Sequence, residues 1–149
     1  MNKNSMKIYL GTDHAGFETK EKVKNILSTS GYDVEDLGAL SFDKDDDYPD
    51  YVSKVGDAVS KDAGSFGFVF GKSGQGEAMV SNRYSGVRAG VFYGGNIEIV
   101  KLLRKHNNAN VLSIGGGFVE DSYLEEIIKT FLETPFSGEE RHARRISKF

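Results

Sequence analysis

The chain of 149 residues contains no cysteine. That absence excludes disulfides, Cys-ligated zinc, iron–sulfur clusters and thiolate nucleophiles, and it fits a reducing compartment. No apolar run approaches the roughly 20 residues of a membrane span. The polar start Met1-Asn2-Lys3-Asn4-Ser5 also lacks the apolar core of a secretory signal. An excess of positive charge is missing too. Nineteen basic against 22 acidic side chains leave −3, which disfavours a general nucleic-acid binder, whose phosphate contacts need a basic face. The expectation is a soluble cytoplasmic protein with no membrane and no nucleic-acid partner. A chain of this length hides roughly 70% of its unfolded surface, so it can form one domain, 1–149, without staples.

What the sequence does have is a recurring alternation of β-branched or aromatic segments with helical periodicity. Strands are predicted over Lys7–Leu10, Asp33–Leu37, Ser65–Phe70, Val87–Phe92 and Asn110–Ile114. Helices are predicted over Phe17–Ser30, Tyr51–Asp62, Gly76–Arg83, Ile97–His106 and Asp121–Glu133. Runs such as Phe68-Val69-Phe70 suit strands covered on both faces, as in a parallel sheet with right-handed crossovers. A doubly wound α/β sandwich follows, with ligands expected at the loops beyond the carboxyl ends of its strands.

Four segments at element junctions could carry chemistry. Gly71-Lys72-Ser73-Gly74-Gln75-Gly76 follows a strand and opens a helix, so its backbone N–H groups suit an anion. It fits neither a Walker A loop nor the dinucleotide glycine pattern, and a tight turn alone would also account for its glycines. Thr12-Asp13-His14-Ala15-Gly16 offers Asp13 and His14, either as a site or as a helix cap. Asp47-Tyr48-Pro49-Asp50 offers Tyr48, or simply a proline that begins a helix. Lys105-His106-Asn107 offers His106, or a histidine stabilised by a helix C-terminus. The histidines are His14, His106 and His142; the first two fall where an α/β site is expected, and histidine is suited to moving protons near neutral pH. The acidic run Asp43-Lys44-Asp45-Asp46-Asp47 reads as a solvated turn rather than a metal site. The cationic segment 139–149 carries little apolar surface and is expected to be disordered or docked on another subunit.

The ordered set G-T-D-H-A-G-F (11–17), D-Y-P-D-Y (47–51), G-V-R-A (86–89), H-N-N-A-N-V (106–111) and R-H-A-R-R (141–145) resembles ribose-5-phosphate isomerase B and the related galactose-6-phosphate isomerase subunits. The resemblance runs from about Met6 to Arg145, with Met1–Ser5 as an extension. It implies a Rossmann-like three-layer sandwich with a five-stranded parallel sheet, and a metal-free and cofactor-free aldose–ketose isomerase of a phosphorylated sugar. It also implies a homodimer or tetramer with sites shared between subunits.

By motif position, His106 would assist ring opening and Asp13 would bond the sugar. Tyr48 and Asn107 would line the sugar, and His14 would lie near it or its phosphate. Arg141 and Arg145 would grip the phosphate across a dimer interface. Gly71, Lys72, Gly74 and Gly76 would bind substrate in a loop that serves as anion hole, with Ser73 counted among the catalytic residues.

The resemblance also has departures. Relatives active on ribose 5-phosphate commonly carry a proton-moving cysteine where this chain has Gly71, and a glycine where it has Lys72. Glu77 is then either a relocated base or an ordinary acidic residue in a helix's first turn. Lys72 is either an enediolate stabiliser or a surface charge. The segment between Arg88 and His106 is about two residues longer than the family pattern, at Tyr93-Gly94-Gly95-Asn96. The competing reading is a sugar-phosphate-binding paralogue, or one subunit of a hetero-oligomer whose partner supplies the missing base.

Overall fold

Period-two alternation in the strands dictates the layering. The computed structural model describes residues 6–149, so the expected extension Met1–Ser5 lies outside the described residues. In β1 (Lys7–Thr12), β3 (Phe66–Gly71) and β5 (Val111–Gly115) successive side chains point to opposite faces. Ile8, Leu10, Phe68, Phe70, Leu112 and Ile114 enter one apolar cluster, while Val69 and Val111 enter a second. Two covered faces explain why these strands read as continuous apolar runs. The first cluster is closed by α1 (Phe17–Thr29), α4 (Glu98–Asn107) and α5 (Leu124–Glu133) through Val23, Leu27, Val100, Ile127 and Phe131. The second is closed by α2 (Pro49–Lys61) and α3 (Gln75–Ser81) through Val52, Val55, Val59 and Val80.

With β2 (Asp33–Asp36) and β4 (Ala89–Phe92), the sheet has five strands in the order β2-β1-β3-β5-β4, all parallel. The direction of winding reverses between β1 and β3, and a crevice opens at the carboxyl ends of such a pair. Register decides what lines it. Thr12 pairs with Phe70, and the Thr12 hydroxyl donates to the Phe70 carbonyl at 2.9 Å, so Asp13 and Gly71 leave the sheet side by side.

The loop after β2 is pinned beside the same spot. Lys20 is fully buried and reaches both oxygens of Asp36 at 2.8 Å as well as the Ala39 carbonyl. Burial alone would raise the Asp36 carboxyl, but Lys20, the Gly38 N–H and Lys24 together hold it below its ordinary value. Thr12 N–H donates to the Gly38 carbonyl and Ala39 N–H to that of Thr12, both at 2.8 Å. The acidic run therefore starts from a fixed point next to Asp13.

The predicted elements are all present with shifted ends. β1 runs on to Thr12, β4 starts at Ala89, and α2 starts at Pro49, whose missing N–H is harmless in the first turn. The terminal segment differs more. Glu140–Ile146 forms a further helix, α6, and buries His142 against α4 of its own chain, which corrects the disordered alternative expected for 139–149. Among the described residues no helix is long and apolar enough to cross a membrane.

Candidate active site

Asp13 caps a single 3-10 turn, His14–Gly16, and accepts the Ala15 N–H at 2.9 Å. A cap and a site are compatible here, because only one carboxylate oxygen is used by that bond. His14 turns toward the acidic loop. Its Nδ1 lies 2.7 Å from Asp46 Oδ1, and its backbone N–H donates to the same oxygen at 3.0 Å. The Asp46 side chain is only 5% exposed, so this part of the acidic run is not the solvated turn expected of it; Asp43, Asp45 and Asp47 are exposed. The hydrogen bond from Asp46 raises the His14 ring above its ordinary value; burial opposes the shift and the charges of Asp13, Asp46 and Asp43 add to it.

The loop after β3 is held from β5. Ser113 Oγ donates to the Gly74 carbonyl at 2.6 Å, Gly116 N–H to that of Gly71 at 2.9 Å, and Gly117 N–H to that of Lys72 at 3.0 Å. Gly74 is left-handed, with φ +82°, a conformation that favours glycine. Ser73 Oγ accepts the Gln75 N–H at 3.4 Å, and Lys72 is exposed. Tyr48 lies against Gly76, where an added Cβ would fall 2.6 Å from Tyr48 Cζ.

Glu77 completes this end. It is 5% exposed, and a Cβ at position 71 would collide with its carboxylate, falling 2.6 Å from Oε2. Burial raises its carboxyl above the ordinary value, its own backbone N–H lowers it, and the Asp13 charge raises it further. A carboxylate on the surface of a helix's first turn would show none of this. Glu77 is instead a buried acid that fills the space a side chain at position 71 would take.

The remaining sequence candidates lie elsewhere. His106 and Asn107 end α4, and α4 delivers the chain to the start of β5. They therefore occupy the amino edge of the sheet, opposite the crevice that holds His14, rather than one of the strand-to-helix loops where an α/β site is expected. β5 spans five residues, about 16 Å at ~3.3 Å per residue. Arg141 and Arg145 lie on α6 at that same amino edge, both exposed, with Arg141 Nε 3.0 Å from Glu139 Oε2. His142 is 6% exposed and stacks on His106 with ring centroids 4.1 Å apart and planes 15° from parallel.

Donor atoms of Asp13, His14 and Asp46 lie within 4.8 Å of one another, a spacing that metal centres share. With Nδ1 bonded to Asp46 the trio is already paired internally, and no metal role is needed to explain it. Asp46 and His142 escaped the sequence reading. No spacing signal separates Asp46 from its acidic neighbours, and a lone histidine in a cationic helix carries no periodicity.

Doubly wound α/β folds bind their ligands in the crevice at such a switch point, and there this chain gathers a buried acid, a histidine–carboxylate pair and a glycine loop. The chain belongs to the Ribose/Galactose Isomerase family, whose sequence profile matches residues 8–149. Ribose-5-phosphate isomerase B of Mycobacterium tuberculosis is 38% identical over 143 residues, covering 96% of this chain and 87% of its own length. The crystal structure of ribose-5-phosphate isomerase B from Mycoplasma genitalium with bound ribulose 5-phosphate matches with a TM-score of 0.92 at 37% identity, covering 97% of this chain and 94% of that one. A ribose 5-phosphate isomerase from Thermotoga maritima matches with a TM-score of 0.88 at 42% identity, covering 95% of each chain.

Proposed function

We propose that the protein interconverts an aldose phosphate and a ketose phosphate, ribose 5-phosphate and ribulose 5-phosphate first among them, through an enediol with Glu77 as base. The observation that carries this reading is the Glu77 carboxylate lodged where a side chain at Gly71 would stand. A base withdrawn from position 71 and supplied from position 77 reaches the same space, which favours an active enzyme over an impaired paralogue.

In this mechanism Glu77 takes the C2 proton of the open-chain aldose while the C1 carbonyl oxygen acquires a proton, giving the enediol. The acid so formed returns its proton to C1 as the O2 hydroxyl loses its own, leaving the ketose. Burial keeps the Glu77 carboxyl above the ordinary range, bringing its acid and base forms closer in energy near neutral pH, as a two-way proton carrier requires. Asp13 and Tyr48 hold the sugar hydroxyls, and backbone N–H groups of Lys72 to Gly76 with Ser73 face the developing oxyanion. Lys72 stands at the same loop, where its cation offsets enediolate charge.

Ring opening, and the cations that balance a phosphate's full charge, need groups the crevice of one chain lacks. His106, Asn107, Arg141 and Arg145 sit together at the amino edge, so a second copy that sets this edge against the crevice completes the site. Charge supports that pairing: Asp13, Asp46 and Glu77 line one edge, whereas Arg88, Lys105, Arg141, Arg144 and Arg145 gather at the other. The homodimer is the smallest assembly that satisfies it.

The test is an isomerase assay of the purified protein alone with ribose 5-phosphate, allose 6-phosphate and galactose 6-phosphate, beside calorimetric titration of each. Turnover of at least one sugar is expected. Binding without turnover overturns the reading in favour of the hetero-oligomer subunit.

A further inference from the structure

We propose that Asp46 is a positioning residue: it locks the His14 ring through Nδ1, so that the far nitrogen, Nε2, is presented as a fixed donor to the substrate's phosphate. The proposal rests on the sugar-phosphate reading for its ligand, and on geometry for the rest. Asp46 Oδ1 accepts both from the His14 ring and from the His14 main chain, at 2.7 Å and 3.0 Å. Two bonds to one residue fix the ring's rotamer as well as its hydrogen-bonding polarity, because a carboxylate oxygen accepts only and Nδ1 must carry the proton. The Phe42 ring meets the imidazole edge-on at 6.2 Å and limits its swing. The ring keeps 34% of its side-chain surface exposed, enough for a ligand to reach it.

The electrostatics have the same sense. Asp46 Oδ2 is buried and, among the described residues, has no hydrogen-bond partner. A buried carboxylate left short of donors is costly unless a cation stands beside it. The charged groups acting on the ring are Asp13 in the preceding position, with Oδ2 at 4.0 Å, and Asp43 and Asp46 of the loop. All three are acidic, and they favour the imidazolium. A phosphate arriving there meets a ring held by Asp46 beside three carboxylates that favour its charged form, and charge-assisted bonds from such a donor are the stronger ones. Asp46→Asn would remove the acceptor charge while keeping the size of the side chain, and the ring would lose the largest of the contacts that favour its charged form and fix its tautomer.

Two measurements test this on the full-length protein. The first is ¹⁵N NMR of the histidine rings at pH 7.5, with the His14 signals assigned by their loss in His14→Asn. An imidazolium supports the proposal; a neutral ring of either tautomer overturns it, because in one Nε2 has no proton for the phosphate and in the other Nδ1 has none for Asp46. The second compares Asp46→Asn with the unaltered protein by isomerase kinetics and by competition with inorganic phosphate. KM and the inhibition constant for inorganic phosphate should each rise about tenfold at pH 7.5, and the gap should narrow toward pH 6 as His14 protonates unaided, with kcat nearly unchanged. A fall in kcat at constant KM, or a gap independent of pH, overturns the proposal. Absence of turnover in the unaltered protein would remove the isomerase reading, yet the ring NMR and the phosphate titration would still decide the role of Asp46.

Discussion

At the carboxyl edge of the sheet, the side chains that the fold sets apart are acidic and bonded to one another or to main-chain N–H groups: Asp13 to Ala15, Asp46 to His14. At the amino edge they are cationic and held largely by carbonyls, as when Arg88 Nε donates to Asn108 at 2.7 Å and Arg104 Nε to Thr134 at 3.1 Å. The first edge holds the proposed base and a crevice but few cations. The second holds cations and a paired imidazole but no acid aimed at a crevice. On the proposed reading each edge carries what the other needs for work on a sugar phosphate, and the proposed unit of function is larger than the unit of folding.

The sharpest way to break the comparison is at Glu77. Glu77→Gln should lower kcat by about 10³-fold, within the usual range for losing a general base, while substrate binding persists in calorimetry. The same variant should be more stable. Because burial raises the Glu77 carboxyl in the folded state, the folded protein holds a proton that the unfolded chain releases, and its stability falls as pH rises above the unfolded value. The amide has no such proton to lose. Melting curves should therefore coincide near pH 4 and separate above it, with the variant melting higher at pH 8. Gly71→Ala is the milder version. Its Cβ would push the carboxylate aside, and displacement of a reacting group by about 1 Å costs roughly 10²-fold.

Mixing tests the other half of the comparison. Glu77→Gln damages only the carboxyl edge and His106→Asn only the amino edge, so each homodimer should be inactive. After subunit exchange, half of the dimers are mixed and one of their two sites is intact, so activity should return to about a quarter of normal. No recovery after exchange verified by native mass spectrometry would mean that both residues serve a site within one chain.

Much of this molecule was legible in its sequence, for physical reasons that differ by element. β3 and β5 announce themselves through Phe68-Val69-Phe70 and Val111-Leu112, because both faces of each strand are buried and every position must be apolar or small. Asp13, Tyr48 and the 71–76 loop could be placed because strand-to-helix loops in this fold share one edge. His106 stands apart for the converse reason: it lies at a helix-to-strand junction, and those junctions occupy the opposite edge. Asp46 was hidden because which carboxylate of an acidic run turns inward depends on the anchoring of Ala39 by Lys20, a tertiary contact. Helix α6 was hidden because its docking rests on one ring rather than on an apolar stripe.

That ring supplies the smallest effect and a gentle probe of the amino edge. His142 is buried, and burial holds its imidazole below the ordinary value, with the neighbouring His106, Arg141 and Arg145 acting in the same direction and Glu139 against it. Below pH 6.5 the unfolded chain binds a proton that the folded chain resists, so docking of α6 is full above that pH and weakens as pH falls through the folded value. Protection of the 140–146 amides against hydrogen exchange, taken relative to the intrinsic rate at each pH, should fall between pH 7 and pH 5 before the sheet loosens. His142→Phe keeps an aromatic face against His106 but has no proton to gain, so in that variant the loss of protection should vanish. If α6 frays equally in both proteins, the ring stack is not what seats it, and the exposed arginines must be positioned by the second copy instead. That outcome would move Arg141 and Arg145 from a preformed edge to one that assembles only on dimerisation.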